Sequence, residues 1–315
     1  MLNVFLIAGF NMGAMGMFIA TVLAQIITCI YLLVSTKVWR YIRIKYYQKE
    51  LLREISRYSL PLVPNQLCWW IIGASDRTII TYAIGSAANG VYSLANKFSS
   101  IYSTVYSIFN MSWTESVSVH INEEDRDIFL TETINATFTL FATADFCIIA
   151  IIPFIFPFMV NIEYQEAYYQ IPILMIAVLF QIVVGLYSVV YIALKKSKEI
   201  TKTSSYAAII NLVFNMIFVE KIGLYAASLS TLIAFMLMAF YRYFHVKKYI
   251  EIKLKKLTII NIIAMGTIVI MSYYYNHLFI NIIVLLLSVV CFFCSNRNVL
   301  YNAMGMVREK FQCKK

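Results

Sequence analysis

Charged residues are scarce in this sequence, and their scarcity decides the class of protein. Only 13% of the 315 residues are Asp, Glu, Lys or Arg, whereas 61% are hydrophobic. The core of a soluble domain could not use so much apolar surface, and the long apolar runs indicate membrane spans. No segment alternates apolar and polar residues as the strands of a membrane barrel do. We therefore predict an all-α polytopic membrane protein.

The sequence also lacks several signatures of enzymes and metal proteins. No segment fits GxxxxGK[ST], which excludes ATP as the direct driver of an activity. The closely spaced cysteines, Cys291 and Cys294, have no second pair and no His nearby, so we expect no metal site. The longest outer loop, 161–171, is short for a polysaccharide polymerase. An intramembrane acyltransferase would need a His inside a span, and all three lie at or beyond span ends: His120, His245 and His277. We expect no enzymatic activity and no cofactor.

The net charge of +10 arises from basic residues that flank the apolar runs. Such residues fix membrane topology, and this interpretation is preferred to nucleic-acid binding. They concentrate in 37–57, 195–202, 242–256 and the C-terminal tail, and Arg126 lies on the same side. Only Lys221 lies in the opposite loops. We expect the basic loops and the C-terminus to be cytoplasmic.

Nine apolar stretches are long enough to cross a bilayer, which takes roughly 17–25 residues. They are 15–35, 59–84, 88–112, 133–160, 172–194, 203–220, 223–244, 257–276 and 278–295. A run at 2–10 is too short to cross. The acidic segment 115–132 is predicted to form a short surface helix between two spans.

One helix pair occurs twice in the chain. NMGAMGMFIATVLAQ (11–25) and KIGLYAASLSTLIAF (221–235) each contain a Gly, an Ala four residues later and then Thr or Ser. We align Gly16 with Gly223. Small residues at this spacing also occur generally in packed membrane helices. The copies lie six spans apart in one orientation, as in transporters built from parallel six-helix halves.

The repeat predicts the domain organisation. A complete six-helix lobe would occupy 59–244, preceded at 1–35 by the final helix pair of a truncated lobe whose first four helices are absent. The remaining segments are a basic cytoplasmic linker (36–58), a basic cytoplasmic loop (245–256), two additional transmembrane helices (257–295) and a basic cytoplasmic tail (296–315).

Three charged residues lie deep in predicted spans: Asp76, Arg77 and Lys97. Intramembrane charges usually face the bundle interior or a water-filled path. Asp76 and Lys97 have matching depths and could form a structural bridge. Alternatively, Arg77 or Lys97 faces a cavity and attracts an anionic headgroup, since the planar fork of Arg binds two phosphate oxygens at once. Both alternatives remain open.

Other polar residues extend this candidate path. On the 88–112 span they recur every three or four residues and share one helix face: Asn96, Ser100, Ser103, Ser107 and Asn110. On the 59–84 span the candidates are Asn65, Gln66, Trp69 and Trp70. Hydroxyls can simply join helices, and tryptophans can anchor them at the membrane interface. The length of the stripe favours a wet path for sugars, on whose rings indoles stack.

Two further sites are less specific. Asp145 lies near mid-membrane and is a candidate for coupling to a proton or sodium ion. Asn211 and Asn215 share one face of the 203–220 span, where we predict helix packing rather than substrate contact.

The sequence resembles the polysaccharide-biosynthesis flippases of the O-antigen type, which share a superfamily with lipid II flippases and multidrug exporters (the MOP exporters). The resemblance is carried by LNVFLIAGFNMGAMGMFIATVLAQ at the start, by RYSLPLVPNQLCWWIIGASDRTIITYAIGSAANGVYSLANKF at 57–98, and by IGLYAASLSTLIAF at 222–235. Members of this family have twelve or fourteen helices in two six-helix lobes, so this chain departs from them by lacking the first four.

The resemblance implies transport of a polyprenyl-pyrophosphate-linked oligosaccharide across the bacterial cytoplasmic (inner) membrane, for O-antigen, lipopolysaccharide or capsule synthesis. The implied partners are this substrate, membrane lipids and polysaccharide assembly proteins. The alternatives are a multidrug or cation exporter of the same fold and a non-functional truncated remnant. A membrane glycan polymerase is less favoured.

Overall fold

The computed structural model describes residues 2–10, 12–40, 47–302 and 305. Several residues of the predicted cytoplasmic linker and tail lie outside this described part. They are Arg43, Lys45, Arg308, Lys310, Lys314 and Lys315, and Cys313 lies outside it as well.

The described residues form α-helices and no strands, which confirms the predicted all-α class. The helices are α1 (Leu2–Val4), α2 (Gly13–Thr36), α3 (Lys49–Ser59), α4 (Leu62–Ala83), α5 (Ser86–His120), α6 (Arg126–Met159), α7 (Ala167–Ala193), α8 (Ser197–Ile222), α9 (Leu224–Val246), α10 (Lys256–Tyr275) and α11 (Leu278–Ser295).

Within the described ranges, seven helices are long and apolar enough to cross a membrane: α2 and α6 to α11. Seven of the nine predicted spans are thereby confirmed by length and composition. The spans at 59–84 and 88–112 fall on α4 and α5, which are long but too polar to join that group. Their crossing stays a prediction. The chain is a multi-pass membrane protein.

The described chain divides into two compact units, of which the first extends to Ser56. Its main element, α2, begins at Gly13, which has a φ of +52°. Gly223 likewise has a positive φ, of +59°, directly before α9. Gly16 instead lies inside α2. The alignment of Gly16 with Gly223 thus pairs a residue inside a helix with one that precedes a helix, and the repeat stays a prediction.

The second unit, from Arg57 onwards, is built around α7. This helix packs against α5 on one side and α9 on another, while α4 packs on α8 and α6 on α10 and α11. Its central place follows from its composition, because apolar residues on nearly all sides let most of the helix be buried. Gly185 allows the close approach of α5, since a Cβ there would overlap the ring of Tyr106.

Two expectations about segment boundaries were wrong. The acidic segment 115–132 forms no separate surface helix, because α5 continues to His120 and α6 starts at Arg126. The second error concerns Arg242, which was counted with the cytoplasmic segment 242–256. It lies within α9 and is fully buried.

Candidate functional site

The structure distributes the predicted path residues between an exposed face and the interior of the second unit. The exposed ones are Gln66, Trp70 and Arg77 on α4, and Lys97, Ser100 and Ser107 on α5. Partly exposed are Trp69, Asn96, Ser103 and Asn110, whereas Asn65 and Asp76 are buried. We call the exposed and partly exposed residues together the polar face. Trp69 also packs against Phe235 of α9, with 5.4 Å between ring centroids.

Two serine hydroxyls of the polar face, those of Ser100 and Ser107, donate hydrogen bonds within their own helix. Ser100 donates to the carbonyl of Lys97 at 2.9 Å, and Ser107 donates to that of Thr104 at 2.7 Å. These bonds use the single proton of each hydroxyl and leave the oxygen lone pairs free to accept. The stripe can therefore receive hydrogen bonds from water or from sugar hydroxyls.

The proposed bridge between Asp76 and Lys97 does not form. Asp76 is only 2% exposed, whereas Lys97 is exposed on α5. Arg77, which is adjacent to Asp76 and therefore about 100° away around the helix, is exposed too. Neither Arg77 nor Lys97 pairs with a carboxylate in the part of the chain that the structure describes. The polar face is consequently cationic.

Asp76 is the centre of a buried hydrogen-bond cluster that joins four helices. Its Oδ2 accepts from the hydroxyls of Tyr92 on α5 at 2.9 Å and Thr231 on α9 at 2.7 Å. Its Oδ1 accepts from the side-chain amides of Asn215 at 2.8 Å and Asn211 at 3.3 Å, both on α8. The predicted packing role of the two asparagines thus takes the form of hydrogen bonds to Asp76. All four donors are neutral.

Asp145, the candidate coupling residue, is fully buried on α6. Neither carboxylate oxygen has a hydrogen-bond partner among the described residues. The hydroxyl of Tyr102, a buried residue of α5, donates to the carbonyl of Phe141 one turn earlier on α6. Asp145 is therefore separate from the polar face and enclosed in the core. Groups of three or more His, Cys, Asp or Glu that could hold a metal are absent from the residues described.

Arg242 is a buried charge that the sequence did not reveal. Its Nε and Nη2 donate to the hydroxyl of Thr203 at 3.0 and 2.7 Å, and Nη2 also reaches Ser204 at 3.2 Å. Nη1 donates to Ser188 and to the carbonyl of Val184. The guanidinium thus connects α9 to α7 and α8 through neutral acceptors. The signal in the sequence that could have indicated its burial was the position of Arg242 inside the predicted 223–244 span.

We expect Thr203→Val to destabilise the second unit by about 1–3 kcal/mol, because the buried guanidinium loses its best acceptor and cannot reach water. Thermal unfolding of the purified chain in detergent measures this loss. Thr267→Val is the matched control, since the exposed Thr267 hydroxyl donates to the carbonyl of Ile263 in its own helix and bonds to no other described residue. Equal shifts for the two variants would show that the Arg242 bonds contribute nothing.

Comparison with known proteins finds a family match for the N-terminal part of the chain. Residues 1–114, just over a third of the chain, match a family described as "Polysaccharide biosynthesis protein". The matched region includes α4 and most of α5, and hence the polar face. No curated protein and no solved structure matches the chain. The match shows what the N-terminal part of the chain is similar to, and the seven apolar helices show a multi-pass membrane protein.

Proposed function

We propose that this chain is a flippase, a transporter that moves a polyprenyl-pyrophosphate-linked oligosaccharide across the bacterial cytoplasmic membrane for cell-surface polysaccharide synthesis. The observation that carries the proposal is the exposure of Arg77 and Lys97 on two helices of the matched region, where neither has a carboxylate partner among the residues that the structure describes. Charges facing lipid tails are costly, so these residues would face a water-filled path.

The chemistry of the polar face suits each part of such a substrate. Arg77 can bind two oxygens of the pyrophosphate at once, and Lys97 adds a second positive charge. The serine oxygens accept hydrogen bonds from sugar hydroxyls, and Trp70 offers an exposed indole on which a sugar ring can stack. The polyprenyl tail would stay in the bilayer while the path opens alternately to each side.

The proposed transporter would also have a fixed orientation in the membrane, partner proteins and a coupling ion as its energy source. The basic loops and the C-terminus would face the cytoplasm, where the substrate is loaded, and polysaccharide assembly proteins would be partners. The chain would act as a transporter and not as an enzyme. Asp145 would carry the coupling proton or sodium ion, since it is a buried carboxyl whose oxygens have no hydrogen-bond partner among the described residues.

The test is transport by the full chain in proteoliposomes, followed with a fluorescent polyprenyl-pyrophosphate oligosaccharide that an external quencher can reach only after crossing. We expect Arg77→Gln with Lys97→Gln to slow crossing roughly 10- to 100-fold, because charge-assisted hydrogen bonds to the pyrophosphate are lost. The matched control is Lys198→Gln with Lys202→Gln, which removes the same charge from exposed positions of α8.

Three results would contradict the proposal. Crossing at the wild-type rate in the double variant would show that the polar face does not line the substrate path. Failure of the wild-type chain to move the substrate would favour an inactive remnant. Efflux of a cationic dye such as ethidium, with no movement of the glycolipid, would favour the exporter alternative.

A further inference from the structure

A large apolar groove lies between α6, α7, α9 and α10 in the second unit. Its volume is about 880 Å³, within the range of roughly 300–1,000 Å³ typical of ligand sites. Its walls are formed mainly by aliphatic and aromatic side chains, such as Phe138, Leu179, Phe240 and Ile259. We call it the lysine groove, because Lys247, Lys253 and Lys256 are its only charged lining residues among those described.

The groove is closed at its base and open along one side. At the base, α10 approaches α6 so closely that a Cβ on Gly266 would lie 2.8 Å from the ring of Phe146. Along the open side, Phe244 and Ile263 are 66% and 64% exposed. In a bilayer, an opening bordered by such side chains admits hydrocarbon and excludes water.

The three lysines lie together at one end of the groove, where α9 connects to α10. Lys247 follows the last residue of α9, Lys253 lies in the connecting segment, and Lys256 is the first residue of α10. All three are exposed, and within the described ranges none forms an ion pair with a carboxylate. Lys247 is oriented by the ring of Tyr243, whose centroid is 4.2 Å from its Nζ. The groove thus combines a cationic end with an apolar body.

We propose that the lysine groove binds an anionic phospholipid of the cytoplasmic leaflet, with its acyl chains along the apolar walls and its phosphate among the three lysines. Charge complementarity selects this occupant, because basic pockets between membrane helices on the cytoplasmic side suit anionic headgroups. The site is distinct from the polar face, whose Arg77 and Lys97 lie on α4 and α5. It would hold a resident lipid rather than the transported one.

The test measures lipid binding to the delipidated full chain by native mass spectrometry, with dioleoyl-phosphatidylglycerol and dioleoyl-phosphatidylcholine as probes. We expect phosphatidylglycerol to bind about 100-fold more tightly than phosphatidylcholine. The triple variant Lys247→Gln, Lys253→Gln, Lys256→Gln should weaken phosphatidylglycerol binding about 100-fold and leave phosphatidylcholine unchanged. The control Lys198→Gln, Lys202→Gln, Lys248→Gln removes equal charge outside the groove and should have little effect.

A second probe measures the contribution of the apolar walls to lipid affinity separately from that of the lysines. Dihexanoyl-phosphatidylglycerol carries the same headgroup on short chains and should bind at least about tenfold more weakly than the dioleoyl form, since each buried methylene adds to affinity. Equal binding of the two chain lengths would overturn the proposal, and so would equal binding of the two headgroups. A dimer that excludes lipid would assign the groove to a second copy of the chain.

Discussion

Replacing Asp76 with alanine is expected to lower the unfolding free energy of the second unit by roughly 3–5 kcal/mol, because the loss of an acceptor for four buried donors outweighs the recovered desolvation of the carboxylate. The carboxylate accepts hydrogen bonds from Tyr92, Thr231 and two asparagines on three different helices. Alanine leaves these donors without their acceptor, and each such loss in a buried region costs about 1–3 kcal/mol.

Reversible unfolding in mixed micelles measures this effect. Asp76→Asn retains one acceptor oxygen and should fall between the wild type and alanine. The neighbouring Ser75 provides a control for a single bond, because it donates only to the Oδ1 of Asn211, at 3.2 Å. If Asp76→Ala costs no more than Ser75→Ala, the cluster does not hold the four helices together.

Replacing Asp145 with alanine should have the opposite effect and raise the unfolding free energy by about 1–3 kcal/mol. The side chain is fully buried, and neither oxygen has a partner among the described residues. Removing an unsatisfied buried polar group recovers its desolvation penalty. Transport should nevertheless be lost, because the proposed carrier of the coupling ion is gone.

A more stable but inactive protein would distinguish a coupling residue from a structural one. Asp145→Asn serves as the matched variant, since it also lacks the ionisable group but keeps a buried polar side chain. It should be equally inactive and gain little stability. Activity retained in Asp145→Ala would exclude coupling at this residue, and a loss of stability would show that the carboxyl has a structural role.

The exposed candidates could be predicted because they depend on spacing within one helix. Ser100 and Ser107 share a face of α5 by helical periodicity, and both are exposed. Spacing also placed Asn211 and Asn215 on one face of α8, and both reach the same carboxylate. Apolar length likewise located the seven spans.

The partners of the buried charges could not be predicted, since they depend on which helices pack together. Asp76 and Thr231 are 155 residues apart in sequence, and Arg242 finds its acceptors on α7 and α8. Matching depth suggested Lys97 as the partner of Asp76, but depth does not specify the direction in which a side chain points. The partners of Asp76 and Arg242 are neutral groups, so no pattern of opposite charges in the sequence identified them.

The polarity of α4 and α5 has a consequence for biosynthesis. Membrane helices are inserted in the order in which they are made, and a central Arg, Lys or Asp opposes insertion by roughly 2.5–3.5 kcal/mol. Asp76 and Arg77 lie in α4 and Lys97 in α5, whereas the helices that cover these two, α8 and α7, emerge later from the ribosome. As predicted spans, α4 and α5 would therefore depend for stable insertion on segments not yet translated, and a chain interrupted before Ala167 would leave both helices without their main packing partners.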